Sequence, residues 1–325
     1  MKIGFLGLCS FGLEYMRLLV EKGLDVSFAT SKRYPAAHVS EFERSFQYLC
    51  KDANVSYLGA RNVNDEDIVD RACDVDLVIL GGYDGIIHKP FIEAVHGEVY
   101  NTHLGIIPYN RGCYPVVHAL MADDVAGFTT YRVTPEIDSG LIVHQNKTLI
   151  RSEDTAKTLY DRLCRFVVAD FSRTLDKILT GWKPQIPLYP GQFYHVQGMP
   201  NDRWISWEWR GDFLLRFSRA LNFPPYPGPR TCRFGEDENV ELYVVQFQKK
   251  PLPAPPGTVV EIVKNRAVVT CANGVVTCLV VDNRLRPGDK LESVTGPSNK
   301  QNFPIPIHYG QDRMCYGDVT PIIIS

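Results

Sequence analysis

The stretch "DLVILGGYDGIIHKPFIEAVHGEVYNTH", residues 76–103, places a strand signal on either side of a helix signal. The run from Val75 to Leu80 is short, continuous and apolar, and Glu98 to Thr102 is again rich in strand-forming residues. Lys89 to Val95 between them has the composition of a helix. Two strands joined through a helix run parallel in one sheet, so the stretch predicts a βαβ unit.

The same alternation extends back to the start of the chain. Further strand candidates are Lys2 to Gly7, Asp25 to Ala29 and Val55 to Leu58, and the helix candidates between them are Leu13 to Lys22, Val39 to Lys51 and Asp65 to Ala72. Short apolar strands alternating with helices predict an α/β domain with a Rossmann-like parallel sheet covered on both faces. Ligands bind to such sheets outside the carboxyl ends of the strands.

The pattern changes after the fifth strand. Phe128 to Val133 and Leu141 to Leu149 alternate between apolar and polar residues, with turn residues between them, which predicts an antiparallel addition to the sheet. A helical periodicity follows from about Glu153 to Leu179, and Gly181 stands where a C-cap glycine is expected. We therefore assign residues 1–181 to one α/β domain.

The rest of the chain predicts a second, smaller domain. Residues 182–203 are rich in proline and read as a linker. Three β-rich runs follow one another between Thr258 and Asn283, and Asn273-Gly274 is a hairpin signal. We expect a small antiparallel β-barrel of the OB-like type over residues 204–295. The tail, residues 296–325, has no clear periodicity and is a candidate subunit contact in a homodimer.

The composition gives no large charge excess. The chain has 325 residues, of which 45% are hydrophobic, and a formal net charge of −2. This length exceeds the roughly 250 to 300 residues of a single core, so two domains are expected. The near-neutral balance creates no overall positive field for nucleic acid or an anionic membrane.

Cysteine usage and the N-terminus indicate a cytoplasmic protein. Nine scattered cysteines, never spaced as C-x-x-C, disfavour a zinc ribbon and a disulfide framework, and we predict no metal site. A signal peptide is an alternative for the first residues because Lys2 precedes an apolar run. No small-residue cleavage site follows, and Glu14 and Arg17 come directly after the run, so we interpret it as a buried strand that enters a helix. No apolar run approaches the ~18 residues of a membrane span.

"GLCSFG", residues 7–12, follows the first strand and raises the question of a phosphate-binding loop. It lacks the Gly-Lys-Ser/Thr of a Walker A loop, and its glycine spacing is not G-x-G-x-x-G. Gly7 and Gly12 are better explained by a tight turn from strand to helix. We therefore expect no nucleotide cofactor at this turn.

Asn101 and His103, at the end of the fifth strand, are candidate catalytic residues. They occupy alternate strand positions and therefore point to the same face. A lone strand histidine is usually structural, but "GIIPYNRG", residues 105–112, is a rigid loop able to hold side chains over a cleft. Asp138 lies in a later turn and could orient His103. A base, an oxyanion donor and an orienting carboxylate suit acyl transfer.

The sequence offers no nucleophile for a covalent intermediate. Cys113 follows Arg111-Gly112 but lacks the context of a nucleophile elbow. This favours direct transfer from a donor to an incoming amine.

The segments "NTHLGIIPYNRGCYPVVHAL" and "GFTTYRVTPEIDSGLIVHQ" resemble the signature of the formyltransferases that use 10-formyltetrahydrofolate. That signature combines Asn-x-His, a Pro-x-x-Arg-Gly and a later Asp-(Ser/Thr)-Gly. "WISWEWRGDFLLRFSRALNFPPYPGPRT", residues 204–231, is similar to the start of the family's C-terminal domain, where a Trp-containing helix leads to Arg-Ala and a Pro-Gly turn. The resemblance covers roughly residues 1–290.

The resemblance implies roles for individual residues. Asn101 would donate to the formyl oxygen, His103 would take a proton from the amine, and Asp138 would align His103. The folate would contact five residues, in part through their backbone: Tyr83, Gly85, Ile86, Ile87 and Ile137.

The family acts on initiator methionyl-tRNA, on nucleotide-linked amino sugars and on a purine-pathway glycinamide. The last type usually lacks a C-terminal barrel. From Asp202 to the end there are 15 Lys and Arg against 13 Asp and Glu, a thin surplus for gripping tRNA phosphates. We therefore favour a nucleotide-linked amino sugar over tRNA.

Four residues are predicted to contact the sugar nucleotide: Lys32, Arg33, Tyr109 and Arg111. The three cations would meet a diphosphate, and Tyr109, or Tyr114 in its place, would cover the sugar or base. Ordinary surface or packing roles are the alternative for each. A non-catalytic binding protein that retains the motif is the alternative to an enzyme.

Overall fold

The computed structural model describes residues 1–7, 10–31, 39–60, 62–83, 85–122, 125–181, 185–186, 191–195, 198–281 and 284–294. Up to residue 181 the elements are β1 (Lys2–Gly7), α1 (Ser10–Glu21), β2 (Asp25–Ser31), α2 (Val39–Asp52), β3 (Ser56–Ala60), α3 (Glu66–Ala72), β4 (Leu77–Gly81), α4 (Lys89–Ala94), β5 (Val99–His103), β6 (Arg111–Gly112), α5 (Pro115–Ala122), β7 (Val125–Arg132), β8 (Leu141–Leu149) and α6 (Ala156–Leu179).

Seven of these strands form one sheet in the order β3-β2-β1-β4-β5-β7-β8. Strands β1 to β5 pair in parallel, and β7 pairs antiparallel to β5. The predicted Rossmann-like sheet with an antiparallel addition is therefore confirmed. The continuous apolar runs have the expected physical basis, since all five residues of β4 are buried.

Helix α1 packs closely onto the sheet through a glycine and against α6 through an aromatic ring. A Cβ added to Gly12 of α1 would lie 2.0 Å from the Gly81 carbonyl oxygen of β4, so only glycine permits this approach. Tyr15 of α1 stacks on Phe171 of α6 with ring centroids 3.7 Å apart. Gly12 of "GLCSFG" therefore serves helix-to-strand packing.

The C-terminal elements are β9 (Phe193–Tyr194), a 3₁₀ turn over Pro200–Arg203, α7 (Gly211–Ala220), β10 (Arg230–Cys232), β11 (Asn239–Gln248), β12 (Val259–Val263), β13 (Arg266–Cys271) and β14 (Gly274–Val280). Strands β10 to β14 form an antiparallel sheet in the order β10-β11-β14-β13-β12. Residues 289–292 bond to residues 232–234 on one side and to residues 257–259 on the other, which closes the sheet into a small barrel. The predicted antiparallel C-terminal sheet is confirmed.

Two local details differ from expectation. The β13–β14 hairpin closes through the pair Cys271 and Gly274, so the turn consists of Ala272 and Asn273, both with negative φ. Gly274 begins the next strand, where a Cβ would lie 2.2 Å from the Gln248 carbonyl oxygen. In the segment predicted as a Trp-containing helix, all three tryptophans precede α7.

Contacts divide the chain into two compact units. One comprises residues 1–111, 127–147 and 161–192, and the other comprises residues 112–126, 148–160 and the chain from residue 193 onward. Helix α5 therefore groups with the C-terminal residues, where it packs against α7. None of the described helices is both long and apolar enough to cross a membrane.

His118 of α5 is a buried histidine within the second unit. Its side chain is fully buried, and its ring stacks on Tyr194 with centroids 3.4 Å apart and an interplanar angle of 10°. Burial lowers the pKa of His118 to about 3, with a small opposing effect from the backbone at Gly198. The folded protein therefore holds this imidazole neutral where the unfolded chain would protonate it.

We predict that His118 makes the protein less stable in acid. Below about pH 6.5 the unfolded chain binds a proton that the folded protein excludes, so stability falls by ~1.4 kcal/mol per pH unit down to about pH 3. Urea unfolding across this range measures the slope, which His118→Phe should reduce by that amount. His96→Asn, at an exposed position, is the control. Equal slopes in wild type and His118→Phe would contradict the prediction.

Candidate active site

The predicted catalytic residues lie at the carboxyl end of β5. Strands β2 and β3 are added on one side of β1, and β4 and β5 on the other side. The direction in which strands are added therefore reverses between β1 and β4, one strand away from β5. Leu80 of β4 pairs with Asn101, so the loop that leaves β4 begins beside this residue. On the other side, Asn101 pairs with Tyr131 and His103 with Thr129 of β7. Directly opposed residues share a face of the sheet, so these four side chains face the same way.

A hydrogen-bond chain joins Asn101 to Asp138 through Tyr131. Asn101 Nδ2 donates to the Tyr131 hydroxyl at 3.0 Å, and this hydroxyl donates to Asp138 Oδ1 at 2.6 Å. Tyr131 is 3% exposed. Burial, and next the negative charge of Asp138, raise the pKa of Tyr131 well above its usual value. The phenol therefore keeps its proton at neutral pH and remains a donor.

His103 lies between Asp138 and the loop that follows β5. Its Nδ1 is 3.5 Å from Asp138 Oδ2, and its Nε2 is 2.5 Å from the Asn110 carbonyl oxygen. Both ring nitrogens thus face acceptor oxygens. Since a carbonyl oxygen only accepts, the Asn110 contact requires a proton on Nε2. His103 can act as a base at Nε2 only when this contact opens and the ring proton is on Nδ1, where Asp138 can accept it.

Gly105 makes room for the His103 ring. A Cβ at residue 105 would lie 2.6 Å from His103 Nε2 and 2.8 Å from the Asn110 carbonyl oxygen. Any larger residue would displace the imidazole or the loop backbone.

Thr129 and Gln145 hold the loop over the strand end. The Thr129 hydroxyl donates to the Gly105 carbonyl at 2.7 Å and accepts from the Ile107 amide at 3.1 Å. Gln145 Nε2 donates to the Ile107 carbonyl at 2.9 Å and to the Thr129 hydroxyl at 2.8 Å. Both side chains are buried, so these bonds fix the loop backbone to β7 and β8.

A strained turn presents Asp138. This aspartate has a φ of 48° and is 7% exposed. Arg111 supports the turn, because its guanidinium donates to the Ile137 carbonyl at 3.1 Å and to Glu136 at 2.7 Å. The hydrogen bond and charge of Arg111 lower the pKa of the exposed Glu136. The Arg111 side chain is 11% exposed, so the turn largely buries it.

Asn64 clamps the loop that leaves β4. Its Nδ2 donates to the Ile86 carbonyl at 2.9 Å, and its Oδ1 accepts from the His88 amide at 2.8 Å. Tyr83 is buried and accepts from the Val63 amide at 3.4 Å. The clamped loop leaves the Ile86 side chain 59% exposed.

The remaining predicted contact residues are placed as follows. Gly85 packs against the Tyr83 ring, Ile87 is buried, and Ile137 is 43% exposed beside Asp138. Tyr109 is half-buried in the loop after β5. Lys32 and Arg33 lie outside the described residues. Within the described ranges, no cluster of three or more His, Cys, Asp or Glu side chains is arranged to hold a metal ion.

Two parts of the chain match the two domains of one known family. Residues 24–175 match the formyl transferase model, and residues 199–292 match the model of the formyl transferase C-terminal domain. A methionyl-tRNA formyltransferase from Acidothermus cellulolyticus is 30% identical over 241 residues, which cover 72% of this chain and 74% of that protein. The chain belongs to the formyltransferase family.

Other proteins similar to this formyltransferase include a second curated sequence and two solved structures. A methionyl-tRNA formyltransferase from Methylobacillus flagellatus is 27% identical over 297 residues, covering 89% of this chain and 93% of that protein. The crystal structure of WlaRD, a sugar 3N-formyl transferase in the presence of dTDP and 5-N-formyl-THF, has a TM-score of 0.68 at 16% identity, covering 88% of this chain and 99% of that one. An N-formyltransferase from Helicobacter canadensis, in complex with folinic acid and dTDP-3-aminofucose, has a TM-score of 0.66 at 12% identity, covering 86% and 99%.

Sequence reasoning missed five residues that shape this formyltransferase's candidate site: Asn64, Gly105, Asn110, Tyr131 and Thr129. The alternation of β7 does place Thr129 and Tyr131 on one face. The register that sets them opposite His103 and Asn101 depends on long-range pairing, for which the sequence carries no local signal.

We predict that Gly105→Ala lowers formyl transfer by at least about tenfold, since a 1 Å displacement of a catalytic group typically costs more than that. The added Cβ would collide with His103 Nε2. Steady-state kinetics measure the loss of formyl transfer, and the melting temperature measures any loss of stability. Gly97→Asn is the control, because residue 97 has positive φ and a Cβ there would meet nothing within 4 Å. Normal turnover in Gly105→Ala would show that the His103 position is not required.

Proposed function

We propose that this enzyme transfers the formyl group of 10-formyltetrahydrofolate to the amino group of a nucleotide-linked amino sugar. The observation that carries the transfer chemistry is the array at the carboxyl end of β5. Hydrogen bonds join Asn101 to Asp138 through Tyr131, and His103 Nδ1 lies 3.5 Å from Asp138 Oδ2. The array brings an amide donor, an imidazole and a carboxylate to one face of the sheet, where an acyl transfer needs them.

In this mechanism the neutral amine attacks the formyl carbon directly. Asn101 donates an N–H to the formyl oxygen as it becomes an oxyanion. Once the Asn110 contact opens and the single proton of the neutral ring is on Nδ1, facing Asp138, His103 Nε2 accepts the proton that the amine loses. Asp138 stabilises the resulting imidazolium. The bond between the formyl carbon and N10 then breaks, and the proton passes to N10. The products are the formamide and tetrahydrofolate.

The assignment of the donor rests on the clamped loop and on the structural relatives. Ile86 and Ile137 are exposed apolar side chains of the first unit, suited to cover a flat ring, and the backbone near Tyr83, Gly85 and Ile87 supplies polar groups. WlaRD and the Helicobacter canadensis enzyme were each crystallised with a formylated folate.

The charge of the C-terminal part supports a sugar acceptor. A module that grips an RNA backbone needs a basic surface, yet residues 202–325 have a surplus of only two cations. Several of these cations are paired with acidic groups or backbone carbonyls: Arg210 with Asp212, Arg233 with Glu236, Arg284 with Glu238, and Arg219 with Ser152 O. These pairs reduce the positive field that phosphates would meet.

Arg111, Lys32 and Arg33 are our candidates for the diphosphate of the acceptor, and Tyr109 for its base or sugar. Arg111 would exchange Glu136, which is 72% exposed, for a phosphate oxygen. We place the reaction in glycan or lipopolysaccharide biosynthesis in the cytoplasm, and we propose a homodimer. We retain the division into a catalytic domain over residues 1–181, a linker over 182–203 and a β-domain over 204–295.

Methionyl-tRNA formyltransferase is the second candidate. One specific observation favours it: the Methylobacillus flagellatus relative of that description aligns over 93% of its own length.

We predict turnover with a dTDP-, UDP- or GDP-linked amino sugar and 10-formyltetrahydrofolate. The measurement is tetrahydrofolate release with a panel of such sugars, and charged initiator methionyl-tRNA is assayed in parallel. Turnover on tRNA alone would establish the second candidate. No tetrahydrofolate release with any acceptor would favour a non-catalytic binding protein.

We predict that His103→Ala and Asp138→Asn each lower kcat by ~10²-fold or more while the protein remains folded, because each removes part of the proton-transfer machinery. Asp138→Asn keeps the shape of the side chain and removes its charge. Circular dichroism monitors folding, and His96→Asn is the control because residue 96 is exposed. A near-normal rate in either variant would refute its assigned role.

A further inference from the structure

We infer that Tyr131 is a positioning residue that sets the direction of hydrogen bonding through the catalytic array and so determines which edge of the Asn101 amide faces the formyl oxygen. The inference rests on the proposed function. Tyr131 lies within the segment "GFTTYRVTPEIDSGLIVHQ", but it is not one of the defining positions of the motif or of the predicted catalytic set.

The geometry places one hydroxyl between the two groups. The Tyr131 oxygen is 2.6 Å from Asp138 Oδ1 and 3.0 Å from Asn101 Nδ2, and the side chain is buried. Because Tyr131 pairs directly with Asn101 across β5 and β7, the sheet fixes the distance between them. Asp138 comes from a separate turn and meets the same oxygen.

The chemistry of a hydroxyl allows one direction only. A phenol has one proton, and an ionised carboxylate can only accept, so the proton of Tyr131 goes to Asp138. The phenol oxygen is then an acceptor toward Asn101. The Asn101 amide must therefore present Nδ2, and not its carbonyl oxygen, to Tyr131.

This direction matters for the oxyanion. One N–H of Asn101 is bound to Tyr131, and the second N–H on the same nitrogen is held in the plane of the amide. Without the hydroxyl, the amide can rotate by 180° and exchange its oxygen and nitrogen. The rotated amide would present a carbonyl oxygen to the developing negative charge, which repels it.

The same hydroxyl also shapes the carboxylate. Because Oδ1 of Asp138 accepts from Tyr131, Oδ2 is the oxygen that faces His103 Nδ1. Arg111 is the other charged group that acts on Tyr131 from the neighbouring loop. Loss of the hydroxyl leaves more of the Asp138 charge for the imidazolium of His103.

The test compares Tyr131→Phe with Tyr15→Phe. Tyr15 of α1 is also buried. Its hydroxyl donates at 3.3 Å to Thr102 of β5, which lies on the opposite face of the sheet from Asn101. We expect Tyr131→Phe to lower kcat by about 10- to 100-fold, the range for one or two charge-assisted hydrogen bonds, with KM values within about twofold. Tyr15→Phe should retain the wild-type kcat.

Two further readouts separate positioning from a general structural role. In a double-mutant cycle, Asn101→Ala with Tyr131→Phe should be about as slow as Asn101→Ala alone, because both remove the same donor. Tyr131→His should recover part of the rate, since imidazole can donate through one nitrogen and accept through the other. Fully additive losses, or a Tyr131→Phe variant as active as Tyr15→Phe, would overturn the inference.

NMR of the Asn101 side-chain amide keeps the inference testable without turnover. Its Nδ2 protons should exchange with solvent faster in Tyr131→Phe, which lacks the acceptor, and at the wild-type rate in Tyr15→Phe. An unchanged exchange rate in Tyr131→Phe would count against the inference. If the wild-type enzyme turned over none of the acceptors, the proposed function would be rejected instead. Failure of the inference and failure of the proposed function are therefore distinguishable.

Discussion

The antiparallel pairing of β5 with β7 is the constraint on which the site depends. Its register sets Asn101 opposite Tyr131 and His103 opposite Thr129, on one face. On the other face, Thr102 and Thr130 share a hydrogen bond of 2.9 Å, buried beneath the helices. A slip by one residue would exchange the two faces and break the buried polar contacts on both of them, so the register is strongly specified.

The antiparallel strands β7 and β8 hold the polar groups of the candidate site in place. Thr129 and Gln145 hydrogen-bond to the backbone of the loop after β5. Tyr131 donates to the carboxylate of Asp138. Each of these polar groups is buried, and a buried polar group without a partner typically costs ~1 to 3 kcal/mol. The network is therefore stable only when complete, which restricts His103 and Asn101 to one arrangement.

In the function we propose, the array acts on the reacting atoms and does not select the amine. Formyl transfer needs an oxyanion donor and a proton acceptor whichever amine attacks. The proposed sugar acceptor therefore rests on other observations, among them the thin cation surplus of residues 202–325 and pairs such as Arg233 with Glu236.

The sequence by itself predicted most strands and helices of the first 181 residues and the antiparallel C-terminal sheet, because hydrophobic periodicity and turn residues are local signals. It did not predict β6 or α5. The family followed from the resemblance of its motifs. The sequence also singled out Asn101, His103 and Asp138 as candidate catalytic residues, through an Asn-x-His pattern and a separate Asp-Ser-Gly pattern, each of which is local in the chain. Only the tertiary structure decided that Tyr131 joins Asn101 to Asp138 and that the Asn110 carbonyl meets His103. Those contacts depend on strand register and loop path, which arise from long-range packing and leave no pattern along the chain.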